Sequence, residues 1–160
     1  MFTMTNQSSI VKEKEKKMAA NILEVKEKVQ RYLTDTVGNV QIDSDGDFSF
    51  RHGSSQIFVR VAEFNEENTT VRVFSPTNLE VPPSPELYKY IATESHKYIF
   101  GRLAVQEQEN GLVVIYSDTL LGEFLDPDEL KIAVIIVAKT ADDIDNEIQE
   151  KFGGIIYHQD

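Results

Sequence analysis

Two segments on either side of an Asn-Gly pair constrain the fold of this chain more than any other feature. They span Phe100–Gln108 and Leu112–Leu121, and Asn110-Gly111 lies between them. Asn-Gly favours the type I′ turn, which joins two adjacent antiparallel strands. The sequence therefore predicts a β-hairpin in this region, with its turn centred on Asn110 and Gly111.

A second hairpin is predicted earlier in the chain. Apolar and other residues alternate over Ile57–Ala62 and again over Val71–Phe74, and the polar segment Asn65–Asn68 separates them. We expect Pro76, Pro82 and Pro83 to end this hairpin, because proline cannot donate a hydrogen bond to a sheet. A short strand over Asp47–Arg51 is predicted to precede this hairpin.

Three helices complete the predicted order of elements. The first carries an apolar stripe from Met18 to Tyr32 and is expected to end near Thr34. The second begins at Ser84-Pro85-Glu86, and the third runs from Asp126-Pro127-Asp128-Glu129 to Gly153-Gly154; both starts combine an N-cap side chain with a first-turn proline. The predicted fold class is α+β, in the order α-β-β-β-α-β-β-α, with an antiparallel sheet packed by helices.

The length of 160 residues is that of one domain. We predict that this domain spans residues 18–154, after a flexible charged lead-in over 1–17 and before a C-terminal tail over 155–160. The chain has no cysteine, which fits a reducing compartment. Met1 to Ser9 have no apolar core that would predict a secretory signal, and the longest apolar run, Ile132 to Ala138, is too short to cross a bilayer. The expected location is therefore the cytoplasm.

The charge distribution argues against nucleic acid as a partner. The net charge is -11, and residues 1–34 carry seven Lys/Arg against four Glu, whereas the rest carries nine against twenty-three acidic residues. An acidic body repels phosphate backbones. We expect neither nucleic acid nor membrane as a partner.

No pattern of catalytic or metal-binding residues is recognisable. Asp43, Asp45 and Asp47 have the spacing of the first EF-hand ligands, but Phe48 stands where that loop needs glycine and Ser54 where it needs glutamate. The interpretation is a turn that leads into a strand. Because no nucleophile, phosphate-loop or dinucleotide motif occurs either, we expect a protein without enzymatic activity, metal or cofactor.

The third helix has more apolar surface than one sheet can cover. Leu130 and six later apolar residues form a complete core stripe, yet Ile132, Ile135 and Ile136 lie on its other side. Two interpretations are open. The C-terminal tail, Ile155 to Tyr157, could cover the isoleucines, or a second subunit or a bound peptide could do so, since exposed apolar patches mark interaction sites.

Three arginines mark a second candidate surface. Arg60, Arg72 and Arg102 lie in predicted strands on the face opposite the apolar residues, where they would form a cationic stripe in an acidic protein. Cross-strand ion pairs with Glu63 or Glu107 are the ordinary explanation. The functional alternative is recognition of a partner's acidic side chains or carboxylate.

Several stretches resemble those of one known family. They are Asp45-Gly46-Asp47-Phe48, Ile57 to Val61, Val71 to Pro76, Ser84 to Leu87, Phe100 to Leu103, and Ala141 to Asp145 followed by Phe152-Gly153-Gly154. Over about residues 20–154 the chain resembles the YbjN-like branch of the type III secretion chaperone-like fold, described as peptide-binding chaperones. The resemblance implies the order of elements given above, homodimers, and binding of an extended partner segment. It implies no catalytic residues.

The sequence thus predicts a chaperone-like domain that binds a partner polypeptide, as a homodimer. The candidate partner-binding residues are Arg60, Arg72, Arg102, Ile132, Ile135 and Ile136. Two alternatives come from other classes: a regulatory domain that senses a small ligand in a pocket between sheet and helix, and a structural subunit of a larger complex.

Overall fold

The computed structural model describes residues 4–157, without the side chains of residues 4–7 and Ala20. The elements follow one another in the predicted α+β order, with a two-residue strand added near each end of the sheet-forming region. They are α1 (Met4–Val37), β1 (Gln41–Ile42), β2 (Phe48–His52), β3 (Ser55–Glu63), β4 (Thr69–Val81), α2 (Pro85–Ser95), β5 (Arg102–Gln108), β6 (Gly111–Leu121), α3 (Pro127–Phe152) and β7 (Ile155–Ile156).

The described strands form a single antiparallel sheet in the order β1-β2-β3-β4-β6-β5, and β7 pairs with the end of β4. The long strand β4 holds this sheet together. Its first half pairs with β3, from Phe58 opposite Phe74 to Glu63 opposite Thr69, and β6 follows its other edge over nearly its whole length. Because side chains alternate between the faces of a strand, this register decides which residues share each face.

All three helices pack on one face of the sheet. The side chains of Ile57, Val59, Val73 and Val114 are fully buried there, and Val29 and Leu33 of α1 join them. The helix α3 contributes the predicted core stripe, from Leu130 to Ile148, which is buried throughout. The opposite sheet face, which we call the helix-free face, carries no helix of the described chain.

The predicted helix starts are confirmed. The side chain of Ser84 accepts a hydrogen bond from the backbone N–H of Leu87, and that of Asp126 accepts one from Glu129 at 2.8 Å. Both caps satisfy an amide that the helix itself cannot pair. At the other end of α3, Gly153 adopts a positive φ of 81° and closes the helix as predicted.

The predicted type I′ turn is wrong, although the hairpin is present. Gln108 pairs with Gly111, so the two turn residues are Glu109 and Asn110, and neither has a positive φ. The positive φ, 136°, belongs to Gly111, which begins β6. A Cβ there would lie 3.0 Å from the backbone of Glu80, so close approach to β4 requires the glycine.

Pro76 does not end the second hairpin strand as predicted, whereas Pro82 and Pro83 do follow its last residue. The strand β4 continues through Pro76, which pairs with Ile115, and ends at Val81. The register shifts directly after Pro76 and again after Asn78. Bulges accommodate a residue that cannot donate to the ladder, so the proline bends this strand without ending it.

Both chain ends differ from the sequence prediction. The helix α1 begins at Met4, so residues 4–17, predicted as a flexible lead-in, are helical, and the helix ends at Val37. Ile155 and Ile156 of the predicted tail form β7, while residues 158–160 lie outside the described residues. The bounds proposed for the domain stay a prediction.

Candidate functional site

The helix-free face contains a concave groove of about 460 Å³ across the middle of the sheet. Strands β3, β4, β5 and β6 supply its floor, and the turn between β1 and β2 supplies one wall. Phe58, Val113 and Ile115 are buried in the floor even though no helix covers them. Neighbouring side chains on the same face therefore shield these three residues from solvent, and the groove itself is open to solvent.

Aromatic rings form the centre of this floor. Phe58 and Phe74 lie directly opposite each other on β3 and β4, and their rings stack at 5.3 Å with an interplanar angle of 20°. Tyr157 meets Phe58 edge-on at 6.3 Å. Phe74 and Tyr157 stay partly exposed and, with buried Phe58 behind them, present aromatic surface that could pack against an apolar side chain of a ligand.

Arg60 is neutralised by a carboxylate of the chain itself. Its Nε donates to Asp47 Oδ1 at 3.0 Å and its Nη2 donates to Asp47 Oδ2 at 2.6 Å, so the pair is bidentate. This hydrogen bonding raises the pKa of Arg60, and the charge of Asp47 adds to the effect. Asp47 lies in the turn predicted from the acidic cluster, where the carboxylate of Asp43 accepts hydrogen bonds from the backbone N–H groups of Asp45 and Asp47.

Arg72 lacks such a partner. Among the described residues no carboxylate lies within 4 Å of its guanidinium or of that of Arg102. Nη2 of Arg72 donates to the hydroxyl of Ser117 at 3.2 Å, whereas its Nε is buried with no hydrogen-bond acceptor. Burial lowers the pKa of Arg72, and repulsion from Arg102 and Arg60 lowers it further.

The three arginines do come together, as the sequence predicted. Arg60 pairs directly with Arg72 across β3 and β4, and Arg102 lies opposite Ser117, the residue that Arg72 contacts. The guanidinium groups of Arg60 and Arg72 both lie over the ring of Phe74, at 5.5 and 5.2 Å from its centroid. The groove thus combines aromatic surface with positive charge that the chain only partly neutralises.

The ion pairs with Glu63 and Glu107 do not form. Glu63 is three residues from Arg60, and Glu107 is five residues from Arg102, so strand alternation places each glutamate on the helix side of the sheet. Glu63 lies beside α1, close to Met18. The ordinary explanation for the arginines is therefore wrong for both proposed partners, and Asp47 takes the place of Glu63.

The C-terminal strand β7 forms one end of the groove. Ile155 and Ile156 pair with Leu79 and Asn78, on the edge of β4 that β3 has left, and the N–H of Tyr157 donates to the carbonyl of Thr77 at 2.8 Å. Gly154 permits this close approach, since a Cβ would lie 2.6 Å from the carbonyl oxygen of Leu79. No local sequence signal identifies Tyr157 as a groove residue.

The tail therefore does not cover the isoleucines of α3. Ile132 and Ile135 keep 52% and 44% of their surface exposed, whereas Ile136 is half-buried against the core and lines a small depression with Phe100 and Leu120. The intramolecular interpretation thus fails for Ile132 and Ile135. They form an exposed apolar patch on the outer side of the helix layer, remote from the groove in the sheet.

The described residues contain no cluster of three or more His, Asp or Glu side chains arranged to hold a metal ion. The carboxylate of Asp47, one of the three that suggested a calcium loop, is engaged by Arg60. None of the helices described for this chain is both long and apolar enough to span a membrane.

Comparisons with known proteins agree with this geometry. The model of one protein family, described as T3SS (YopN, CesT) and YbjN peptide-binding chaperone 1, matches residues 24–160. No protein of curated function matches the chain by sequence.

Two solved structures share the fold. YbjN from E. coli is similar with a TM-score of 0.61 and 7% identity, over 83% of this chain and 95% of that chain. The structure of the ExsC–ExsE complex contains a chain similar with a TM-score of 0.56 and 15% identity, over 75% of this chain and 92% of that one. At such low identity these likenesses show the type III secretion chaperone-like fold alone.

Proposed function

Because the chain belongs to the family of T3SS (YopN, CesT) and YbjN peptide-binding chaperones, we propose that it binds an extended segment of a partner polypeptide in the groove of the helix-free face. The observation that carries this proposal is the positive charge of Arg72, which has no counter-ion among the described residues, beside the stacked rings of Phe58 and Phe74. An extended segment would place side chains on this aromatic floor and an acidic group near the arginines.

The physical chemistry of the groove favours a peptide over catalysis. Aromatic rings and guanidinium groups provide large contact area and charge-assisted hydrogen bonds, which dominate binding energy at protein interfaces. The covered sheet face offers no comparable surface, because its side chains are fully buried under the helices. The protein is thus proposed to act by binding alone, without a cofactor.

The quaternary structure and location are part of the same proposal. We place the homodimer contact on the patch of Ile132 and Ile135, which no described part of the chain covers. Burial of exposed apolar side chains favours association. The protein would work in the cytoplasm, where a chain without cysteine needs no oxidative folding.

A displayed library of unstructured peptides, selected against the full chain, tests the binding function. Arg72→Gln removes the charge and keeps much of the side-chain stem, so the free energy of unfolding should change by no more than about 1 kcal/mol, the contribution of its hydrogen bond to Ser117. The affinity of selected peptides should fall by more than that, and for the unchanged protein it should decline as salt is added. Isothermal titration calorimetry measures the loss of affinity and its salt dependence, and urea denaturation measures the free energy of unfolding.

Arg31→Gln is the matched control, because Arg31 is an exposed arginine of α1 and lies over Tyr32 on the helix side. It should leave peptide affinity unchanged. If Arg72→Gln strongly destabilises the protein and leaves affinity intact, Arg72 is structural and the proposed site is wrong. A small molecule that accompanies the purified protein, detected by mass spectrometry after the protein is denatured, would favour the ligand-sensing alternative.

A further inference from the structure

We infer that Arg72, Arg102 and Ser117 form a seat for one carboxylate of the bound segment, two positions away from an apolar side chain that packs on Phe58 and Phe74. The inference rests on the proposed function and adds the chemistry that the partner must present. In an extended peptide the motif is an acidic residue, any residue, and then a large apolar residue, or the reverse order.

The charge arrangement supports the seat. Arg60 already holds Asp47, whereas Arg72 and Arg102 face no carboxylate among the described residues, and Arg72 has a buried Nε without an acceptor. A carboxylate at the exposed side of this guanidinium would receive a charge-assisted hydrogen bond and relieve the repulsion between the guanidinium groups. Ser117, which is buried between Arg72 and Arg102, fixes the position of Arg72 through its hydroxyl.

The spacing follows from the strand β4. Arg72 and Phe74 are two residues apart and therefore project from the same face, about 7 Å from each other along the strand. An extended peptide has the same period, so side chains two positions apart reach both sites together. A peptide with these side chains on adjacent residues would point one of them away from the sheet.

The Asp47–Arg60 pair shows that this face binds a carboxylate in two-pronged geometry. Oδ1 of Asp47 accepts from Nε of Arg60 at 3.0 Å, and Oδ2 accepts from Nη2 at 2.6 Å. Arg60 and Arg72 share the ring of Phe74 beneath them. The partner's carboxylate is thus proposed to repeat at Arg72 what Asp47 does at Arg60.

Two sources could supply this carboxylate, an Asp or Glu side chain or the C-terminus of a chain. Three peptides, capped at both ends, would carry Glu-x-Phe, Gln-x-Phe or adjacent Glu-Phe in a background of Ser, Thr and Gly. A fourth peptide would lack the Glu and would end two residues after Phe with a free C-terminal carboxylate. Fluorescence polarisation with the full chain measures their affinities. Methyl NMR signals of Val113 and Ile115 report binding in the groove, and those of Ile57 report changes on the covered face.

We expect the Glu-x-Phe peptide to bind at least about tenfold more tightly than Gln-x-Phe and adjacent Glu-Phe, as one hydrogen bond to a charged group requires. Arg72→Gln should abolish this preference, and Arg31→Gln should keep it. Arg72→Lys, which preserves the charge, should reduce it because an ammonium group cannot donate in two-pronged geometry. A preference for the free C-terminal peptide would support the seat and assign its carboxylate to a chain end.

Equal affinity for the Glu and Gln peptides would overturn the carboxylate seat, and so would equal affinity for the two spacings. In either case the proposed function stands if library-selected peptides still shift Val113 and Ile115. If no selected peptide shifts these signals, the proposed function fails together with the seat. Absence of binding by all four defined peptides, while selected ones bind in the groove, overturns this inference alone.

Discussion

The two faces of the sheet use the same strands in opposite ways. On the covered face, aliphatic side chains such as Ile57, Val59 and Val73 pack under three helices and lose all contact with solvent. On the helix-free face, the intervening residues are aromatic or cationic, and Arg60 and Phe74 retain exposed surface. Because successive residues of a strand alternate, β3 and β4 supply both the core and the groove.

This difference separates the residues that stabilise the fold from those available to a partner. Aliphatic burial dominates stability, since it removes the most apolar surface from water at the lowest cost in polar groups. A partly buried arginine without a counter-ion does the opposite and slightly destabilises the free protein. The proposed function accounts for Arg72, because a bound partner would supply the counter-ion that the described chain does not.

The largest expected effect is on the covered face. Ile57→Ala should lower the free energy of unfolding by about 2–5 kcal/mol, because a fully buried side chain leaves a cavity between sheet and helices. Urea denaturation measures the loss. Gln106→Ala, an exposed groove residue of β5, is the control and should change stability by about 0.5 kcal/mol or less. Equal losses would mean that the two faces contribute alike to the fold.

The next effect concerns the outer side of the helix layer. Ile132→Asp should weaken the proposed homodimer by on the order of 2 kcal/mol, or about thirtyfold in its dissociation constant, because the interface would bury an unpaired carboxylate. Ile132 is more suitable than Ile136, whose contacts with the core would confound the result. Light scattering across a concentration series measures the mass.

Gln149→Asp is the matched control, since it places an aspartate on an exposed position in the polar half of α3. It should leave the mass unchanged. A monomeric wild-type protein would remove the homodimer from the proposal. A dimer that tolerates Ile132→Asp would remove this patch as the dimer contact.

A smaller effect should follow from loss of the internal counter-ion. Asp47→Asn should lower the free energy of unfolding by about 1 kcal/mol, because the ion pair with Arg60 is lost. The loss stays small since half-exposed Arg60 is hydrated in its place. The same change leaves Arg60, like Arg72 and Arg102, without a counter-ion, so affinity for the Glu-x-Phe peptide should rise. Asp35→Asn, at an exposed position of α1 on the helix side of the sheet, should change neither. Weaker peptide binding by Asp47→Asn would show that Asp47 supports the groove instead of competing with the partner.

The smallest effect lies outside both sheet faces. The hydrogen bond from Lys151 at 2.5 Å lowers the pKa of the Glu147 carboxyl below its usual range. A lowered pKa in the folded state stabilises the fold above the unfolded pKa, and this contribution is lost as the pH falls through the folded value. The melting temperatures of the wild-type protein and of Glu147→Gln should therefore differ slightly near neutral pH and converge in acid. A gap that widens in acid would contradict this sign.

Much of the fold follows from patterns that neighbouring residues create. The Ser84 and Asp126 caps, the core stripe of α3 and the strand alternation around Arg60 and Arg72 all depend on residues close in sequence, and each was predicted correctly. The turn at Gly111 and the strand through Pro76 were predicted wrongly. In both cases a contact with another strand overrides the local preference of the residue.

The candidate site was only partly predictable. Alternation put the three arginines on one face, yet the predicted partners Glu63 and Glu107 fall on the other face by the same rule. Tyr157 was missed because its place in the groove depends on pairing between β7 and β4, which are far apart in the chain. No local pattern encodes that pairing.

The sequence by itself determined the order of the elements, the caps of two helices and the faces on which apolar and cationic residues lie, because helical and strand periods repeat over a few residues. Only the tertiary structure decided that Asp47 neutralises Arg60, that Arg72 keeps a buried Nε without an acceptor, and that β7 closes one end of the groove. These features depend on strand register and on contacts between distant segments, where a displacement of one residue would send every side chain to the opposite face.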